Sequence, residues 1–220
     1  MKNLILIAPP AAGKGTISKY LVETLGYTQI STGDILRKVA KEETEVGTQI
    51  RDLLKEGKLI SDDIILPLFK EELISLKDKP FILDGMPRTL DQAEYIRNLF
   101  NELNISNYVV INIDIDENLL EQRATGRRIC KNCGTSYNIY FDGFKPKVEG
   151  TCDKCNHELI QRDDDTSETF KSRYETYLKE TSPLINFYEN EDVLKTVDAS
   201  KSSDEIIKDV VNIINGEEND

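Results

Sequence analysis

The order of events in the first 26 residues limits the fold most. Leu4 to Ile7 is a short apolar run, closed off by Pro9-Pro10, and reads as a buried strand. A small-residue loop follows, Ala8-Pro9-Pro10-Ala11-Ala12-Gly13-Lys14-Gly15-Thr16. Ile17, Tyr20, Leu21 and Leu25 then recur at helical spacing until Gly26 stops the run. A strand that turns through such a loop into a helix start points successive backbone N–H groups at one spot, which makes an anion cradle. Lys14 adds a full positive charge there. The pattern approaches the phosphate-loop signature G-x-x-x-x-G-K-[ST]: Gly13-Lys14 match, Thr16 sits one place late behind Gly15, and Ala8 stands where the first glycine belongs.

The rest of the chain continues that rhythm. Strands are expected at Phe81 to Leu83, Tyr108 to Ile115 and Val193 to Val197, with a weaker one at Tyr27 to Ile30. Helices are expected at 34–42, 45–55, 64–76, 91–103 and 117–124. Asp165-Thr166-Ser167-Glu168 reads as a capping box opening a long helix that Pro183 kinks or restarts. A last helix is capped by Ser202 or Ser203 and stopped by Gly216, with a frayed tail over 217–220. Alternating strands and helices indicate an α/β fold with a mainly parallel sheet.

Composition narrows the partners. A formal net charge of −12 argues against nucleic acid or an anionic membrane surface, both polyanions, yet leaves room for a basic pocket. No apolar run approaches the roughly 20 residues of a membrane span, and Leu4 to Ala8 is too short for a signal peptide. A cytoplasmic location is the expectation.

Two later stretches suit a second phosphate. Ser31-Thr32-Gly33-Asp34-Ile35-Leu36-Arg37 follows the second strand in chain order and offers a hydroxyl and a guanidinium. Asp84-Gly85-Met86-Pro87-Arg88-Thr89 follows the third, at a carboxyl end, where open α/β sheets bind ligands. The Gln92 amide can donate and accept toward a base edge. Arg123 and Arg127 are four apart across Gly126, a candidate hinge, while Arg162 precedes the capped helix and Arg173 lies on it. From spacing alone these arginines have two readings: they surround a polyphosphate, or Glu121, Asp163, Asp164 and Asp165 neutralise them.

Arg127 to Arg162 lacks any helical period and reads as an inserted mini-domain. Cys130-x2-Cys133 and Cys152-x2-Cys155, 18 residues apart, have a zinc spacing. Four thiolates leave no open coordination position, so the expected Zn2+ is structural, and His157 reads as an ordinary surface residue.

These runs together resemble the adenylate kinases, from the first strand to Lys201. The first loop is similar to the family's G-A-P-G-A-G-K-G-T, with Ala8 and Ala11 replacing two glycines. If either glycine needs positive φ, alanine there should cost about 1 kcal/mol or more. Asp84 to Gln92 resembles D-G-F-P-R-T-x-x-Q-A, with Met86 for the family Phe. The arginine segments resemble R-x-x-G-R-R and R-x-D-D-x-x-x-T-x-x-x-R.

The resemblance implies a P-loop NTPase-like three-layer α/β fold with a five-stranded parallel sheet. The core would be 1–30, 61–126 and 163–220, with an AMP-binding helical insertion at 31–60 and a zinc-ribbon-like lid at 127–162. It implies the reaction ATP + AMP = 2 ADP with Mg2+, in a monomer. ATP would meet Ala11, Ala12, Gly13, Lys14, Gly15, Thr16, Arg123, Arg127, Ser136, Tyr137 and Lys201. AMP would meet Thr32, Arg37, Lys58, Leu59, Ile60, Gly85, Met86, Pro87, Arg88, Gln92, Arg162 and Arg173. Asp84 would hold Mg2+ through water, and Lys14, Arg88, Arg123, Arg127, Arg162 and Arg173 would act on the transferring phosphoryl. Another nucleoside monophosphate kinase, or a nucleotide-binding protein weakened in catalysis by Ala8 and Ala11, is the alternative.

Overall fold

In the computed structural model, which describes residues 1–56, 58–76 and 79–216, alternation along the first strand sorts side chains to two faces of a sheet. The tail expected to fray over 217–220 lies outside the described residues. Strand β1 (Asn3–Ile7) sends Leu4 and Leu6 one way and Ile5 and Ile7 the other, all buried. The neighbours are β2 (Thr28–Ser31), β3 (Phe81–Asp84), β4 (Tyr108–Asp114) and β8 (Leu194–Asp198). All pairings are parallel, in the order β2-β3-β1-β4-β8. The central strands β1, β3 and β4, covered on both faces, are mostly apolar, whereas the edge strands β2 and β8 carry polar residues.

One layer packs Ile5, Ile7, Leu83 and Val110 against α2 (Thr32–Val39), α3 (Glu45–Glu56), α4 (Asp62–Ser75), α5 (Leu90–Glu102) and α8 (Pro183–Glu189). The other packs Leu4, Leu6, Ile82 and Ile111 against α1 (Lys14–Leu25), α6 (Glu117–Thr125), α7 (Ser167–Thr176) and α9 (Ser203–Asn215). The cysteine segment is a separate three-stranded antiparallel sheet, β6-β5-β7, made of β5 (Arg127–Cys130), β6 (Ser136–Asn138) and β7 (Leu159–Ile160). No helix among the described residues is long and apolar enough to cross a membrane.

Some local expectations change and others hold. The cap of α7 is Thr166, whose hydroxyl accepts from the N–H of Thr169, so the box expected one residue earlier does not form. Asp165 is instead turned inward to an arginine. Pro183 does restart the helix, and a π-helical turn, Tyr177–Thr181, precedes it. Arg123 and Arg127 do not share a helix, because α6 ends at Thr125 and Arg127 opens β5. Gly126 has φ −80°, and a Cβ there would strike Tyr140, Asn138 and the Gln122 carbonyl, so close packing rather than a positive φ asks for glycine at this position. Ser202 caps α9 with a full capping box to Glu205.

Candidate functional site

The carboxyl ends of the parallel strands open into one cleft of about 1200 Å³. Its walls carry every residue expected to meet a nucleotide, from Ala11–Thr16 and Thr32 through Asp84–Arg88 to Arg173 and Lys201. Gly13, with φ +100°, caps α1, and the first N–H groups of that helix face the cleft without intrahelical partners. Lys14 Nζ donates to the Ala8 carbonyl at 3.3 Å. Burial pulls its pKa down; Asp84 opposes that, while Arg88, Arg127 and Arg173 add to it.

The strain expected at the two alanines falls on one of them. Ala11 sits at φ +65°, in the left-handed region, whereas Ala8 is buried with no positive φ. At the second loop Gly85 has φ +89°, and a Cβ there would lie 2.6 Å from Thr32 Oγ1 and 3.1 Å from Arg88 Nη2. Glycine is needed on both counts. The Met86–Pro87 peptide is cis.

Cations dominate the middle of the cleft. Arg88 is made less basic by burial and then by Arg173 and Arg37, against the pull of Asp84. Arg162 is pushed down to about 10 by burial and by Arg127 and Arg37. Lys14, Arg37, Arg88, Arg127, Arg162 and Arg173 thus feel one another across three parts of the chain. Both sequence readings of the arginines hold in part. Arg127 pairs with Asp165, its Nε 3.0 Å from Oδ2, and Arg173 pairs with Asp164. Arg37 pairs with Asp34 at 2.7 Å. Arg162 and Arg88 make no ion pair among the described residues.

Arg123 stands apart. It donates to the Ala199 carbonyl at 3.2 Å, and its guanidinium lies 5.9 Å from the Phe141 ring centre. That places it at the end of the cleft where Lys201 lies, with Lys201 itself paired to Asp209. Gln92 does not present a free amide: it accepts from the Arg88 N–H and donates to Asp62, both at 2.7 Å. The Tyr137 hydroxyl likewise turns from the cleft toward the cysteines, 3.4 Å from Cys152 Sγ. Lys58 pairs with Glu56, and Ile60 is buried.

The four sulfurs gather as their spacing predicts. All lie within 4.8 Å of one another, with Cys130–Cys155 at 3.4 Å and Cys133–Cys152 at 3.6 Å. A tetrahedral Zn2+ with Zn–S near 2.3 Å requires sulfurs about 3.8 Å apart, so the set fits that ion. His157 is exposed, and its ring Nδ1 lies 2.8 Å from the Cys155 carbonyl oxygen. Lys19 on α1 donates to the Cys133 carbonyl at 2.9 Å and to Thr135 at 3.1 Å, which seats this segment over the start of α1.

Three contacts escaped the sequence. Gln29 donates to Asp84 Oδ2 at 2.8 Å, Phe141 faces Arg123, and Thr181 reaches the Arg88 carbonyl. Gln29 could have been suspected as a polar residue interrupting a strand; the other two carry no local signal.

Comparison with known proteins agrees with this geometry. The family described as adenylate kinase matches residues 6–193. An adenylate kinase of Staphylococcus aureus strain Mu50 is 43% identical over 214 residues, covering 96% of this chain and 98% of the relative. One from Geobacillus sp. strain WCH70 is 42% identical over 216 residues, covering 97% and 99%. A phosphate loop, a cation-lined cleft at the strand ends and a four-cysteine segment, matched to such relatives over nearly the whole length, mean that the chain belongs to the adenylate kinase family.

Proposed function

We propose that the cleft moves the terminal phosphoryl of ATP onto AMP, giving two ADP. The observation that carries this reading is the crowd of six cations, Lys14, Arg37, Arg88, Arg127, Arg162 and Arg173, lining one cleft, where Lys14, Arg88 and Arg162 are made less basic by burial and then by their cationic neighbours. Such a cluster is relieved by a polyanion, and an array of fixed cations is what a transferring phosphoryl needs. No covalent intermediate is required; positioning and charge stabilisation suffice.

Roles follow position. The loop Ala11–Thr16 and Lys14 hold the donor phosphates, and Arg88 with Arg37 and Thr32 holds the acceptor phosphate. Arg127, Arg162 and Arg173 flank the phosphoryl between them. The position of Arg123, against Ala199 and Phe141, supports a place beside the donor base, where a guanidinium can stack on a ring. Leu59 and Ile60 give the acceptor base an apolar wall. Asp84, an acid at the end of β3 oriented by Gln29, is a hard oxygen donor that fits Mg2+ through water. That ion would supply further charge on the donor phosphates. The segment 127–162 serves as the lid, excluding water that would otherwise take the phosphoryl.

A coupled assay of ADP formation with AMP, CMP, UMP and GMP as acceptors tests the reading. AMP is expected to be used far best. Arg88→Ala should lower turnover on the order of a hundredfold or more, because it removes a cation aimed at the reacting charge. Undiminished turnover would overturn the assignment.

A further inference from the structure

We infer that Thr181 is a positioning residue for phosphoryl transfer, fixing Arg88 through its main chain. The inference rests on the role given to Arg88 above. Thr181 closes the π-helical turn Tyr177–Thr181 and is buried. Its hydroxyl donates to the Arg88 carbonyl at 2.8 Å, across 93 residues of sequence.

The geometry around Arg88 shows what this bond completes. The Arg88 N–H is held by Gln92 Oε1 at 2.7 Å, and the side-chain Nε folds back to the Gly85 carbonyl at 2.7 Å. The second contact lies within the loop and the first is to the opening turn of α5, directly after it, so together they set the shape of the loop but not its place relative to Arg173. Gln92 in turn binds Asp62 at the start of α4, which ties one side of the loop to the exit of the helical insertion. Thr181 ties the other side to the helical run that carries Arg173. With Nε engaged, only the terminal guanidinium nitrogens of Arg88 are left to point into the cleft. Their distance from Arg173 then depends on the Thr181 hydroxyl. Losing it would strand a buried carbonyl and let the acceptor-side arginine shift against the phosphoryl-side one. Catalysis of this kind is sensitive to small misplacements of charge.

The test compares Thr181→Val, which keeps shape without the hydroxyl, with Thr181→Ser, which keeps the hydroxyl. We expect Thr181→Val to lower kcat roughly tenfold, since a small misplacement costs rate, while KM for ATP stays within about twofold. Thr181→Ser should restore kcat to within about twofold of the parent. In an Arg88→Ala background, Thr181→Val should cost nothing further, because the two act as one unit. A Thr181→Val enzyme with parental kcat overturns the inference, as does a serine variant as slow as the valine one, or a full tenfold loss in the Arg88→Ala background. If Arg88→Ala itself keeps full turnover, the reading of Arg88 fails and takes this one with it. If only Thr181→Val is silent, the inference on Thr181 falls alone.

Discussion

The sheet core and the cysteine segment solve the same problem in different ways. The core buries two apolar layers, one on each face of a five-stranded parallel sheet. The segment has only Cys130, Tyr137, Cys152 and Leu159 buried together, with Cys133 and Cys155 at their edge. Pieces shorter than about 40 residues seldom gather enough apolar surface to fold unaided. Four sulfurs at metal-ligand distance stand in for the missing core. The division suits the proposed chemistry. The phosphate loop and Arg88 need a rigid floor, whereas a part that opens for nucleotide exchange benefits from being held at one point and lightly packed elsewhere.

Metal removal breaks the comparison most sharply. Structural zinc sites have apparent binding energies of about 10–16 kcal/mol, and that energy is folding energy for the piece that binds. Stripping the ion should abolish amide-exchange protection across β5, β6 and β7 while leaving β1, β3 and β4 protected. Uniform loss of protection, or none, would show that the two regions are not independently stabilised. The converse change acts on the floor. Phe69 is fully buried in α4, and Phe69→Ala should lower global stability by about 3–5 kcal/mol, read by urea unfolding. Metal affinity should stay within error of the parent.

A third variant probes the joint. Asp165 is almost wholly buried and pairs with Arg127, the first residue of the segment's sheet. Asp165→Asn keeps the shape and removes the charge, so Arg127 loses its partner in a partly buried place. A cost of about 2 kcal/mol is expected, the scale of a hydrogen bond to a charged group. Protection should fall in β5 before the central sheet if the pair is what seats the segment. An equal loss in both regions would make Asp165 a core residue rather than a joint.

How much of this was legible in sequence follows from the range of the interactions. The first strand, loop and helix were readable because their signals are local: an apolar run, small residues, a helical period and a stopping glycine. The cysteines were readable because metal ligation imposes spacing. The cap of α7 lies one residue later than the pattern indicates, at Thr166, since Asp165 is an equally good cap by residue type and its true partner, Arg127, is far away in sequence. The Gln92 amide suits a base edge by residue type, and nothing nearby in sequence points to Asp62. Spacing groups Arg123 with Arg127, but a helix end at Thr125 sends them to different parts of the cleft. Thr181 was invisible for the same reason: its meaning lies in a carbonyl that the fold brings to it.

The smallest effect expected separates the two substituted positions of the phosphate loop. Both Ala8 and Ala11 stand where the family motif has glycine, so sequence alone ranks them equally. The backbone does not. Ala11 holds φ +65°, where a Cβ crowds the following carbonyl at a cost of about 1–2 kcal/mol, and glycine escapes that cost. Glycine also gives the unfolded chain more freedom, which takes back about 0.4–1 kcal/mol. Ala11→Gly should therefore raise stability by only about 0.5 kcal/mol, on the difference of those terms. Ala8 has no positive φ and its methyl is buried, so Ala8→Gly gives up packing and adds unfolded-state entropy. It should lower stability by about 1 kcal/mol. The informative result is the opposite sign, measured as paired urea midpoints. Two shifts in the same direction would mean that the loop's conformation, and not the identity of its residues, had been misread.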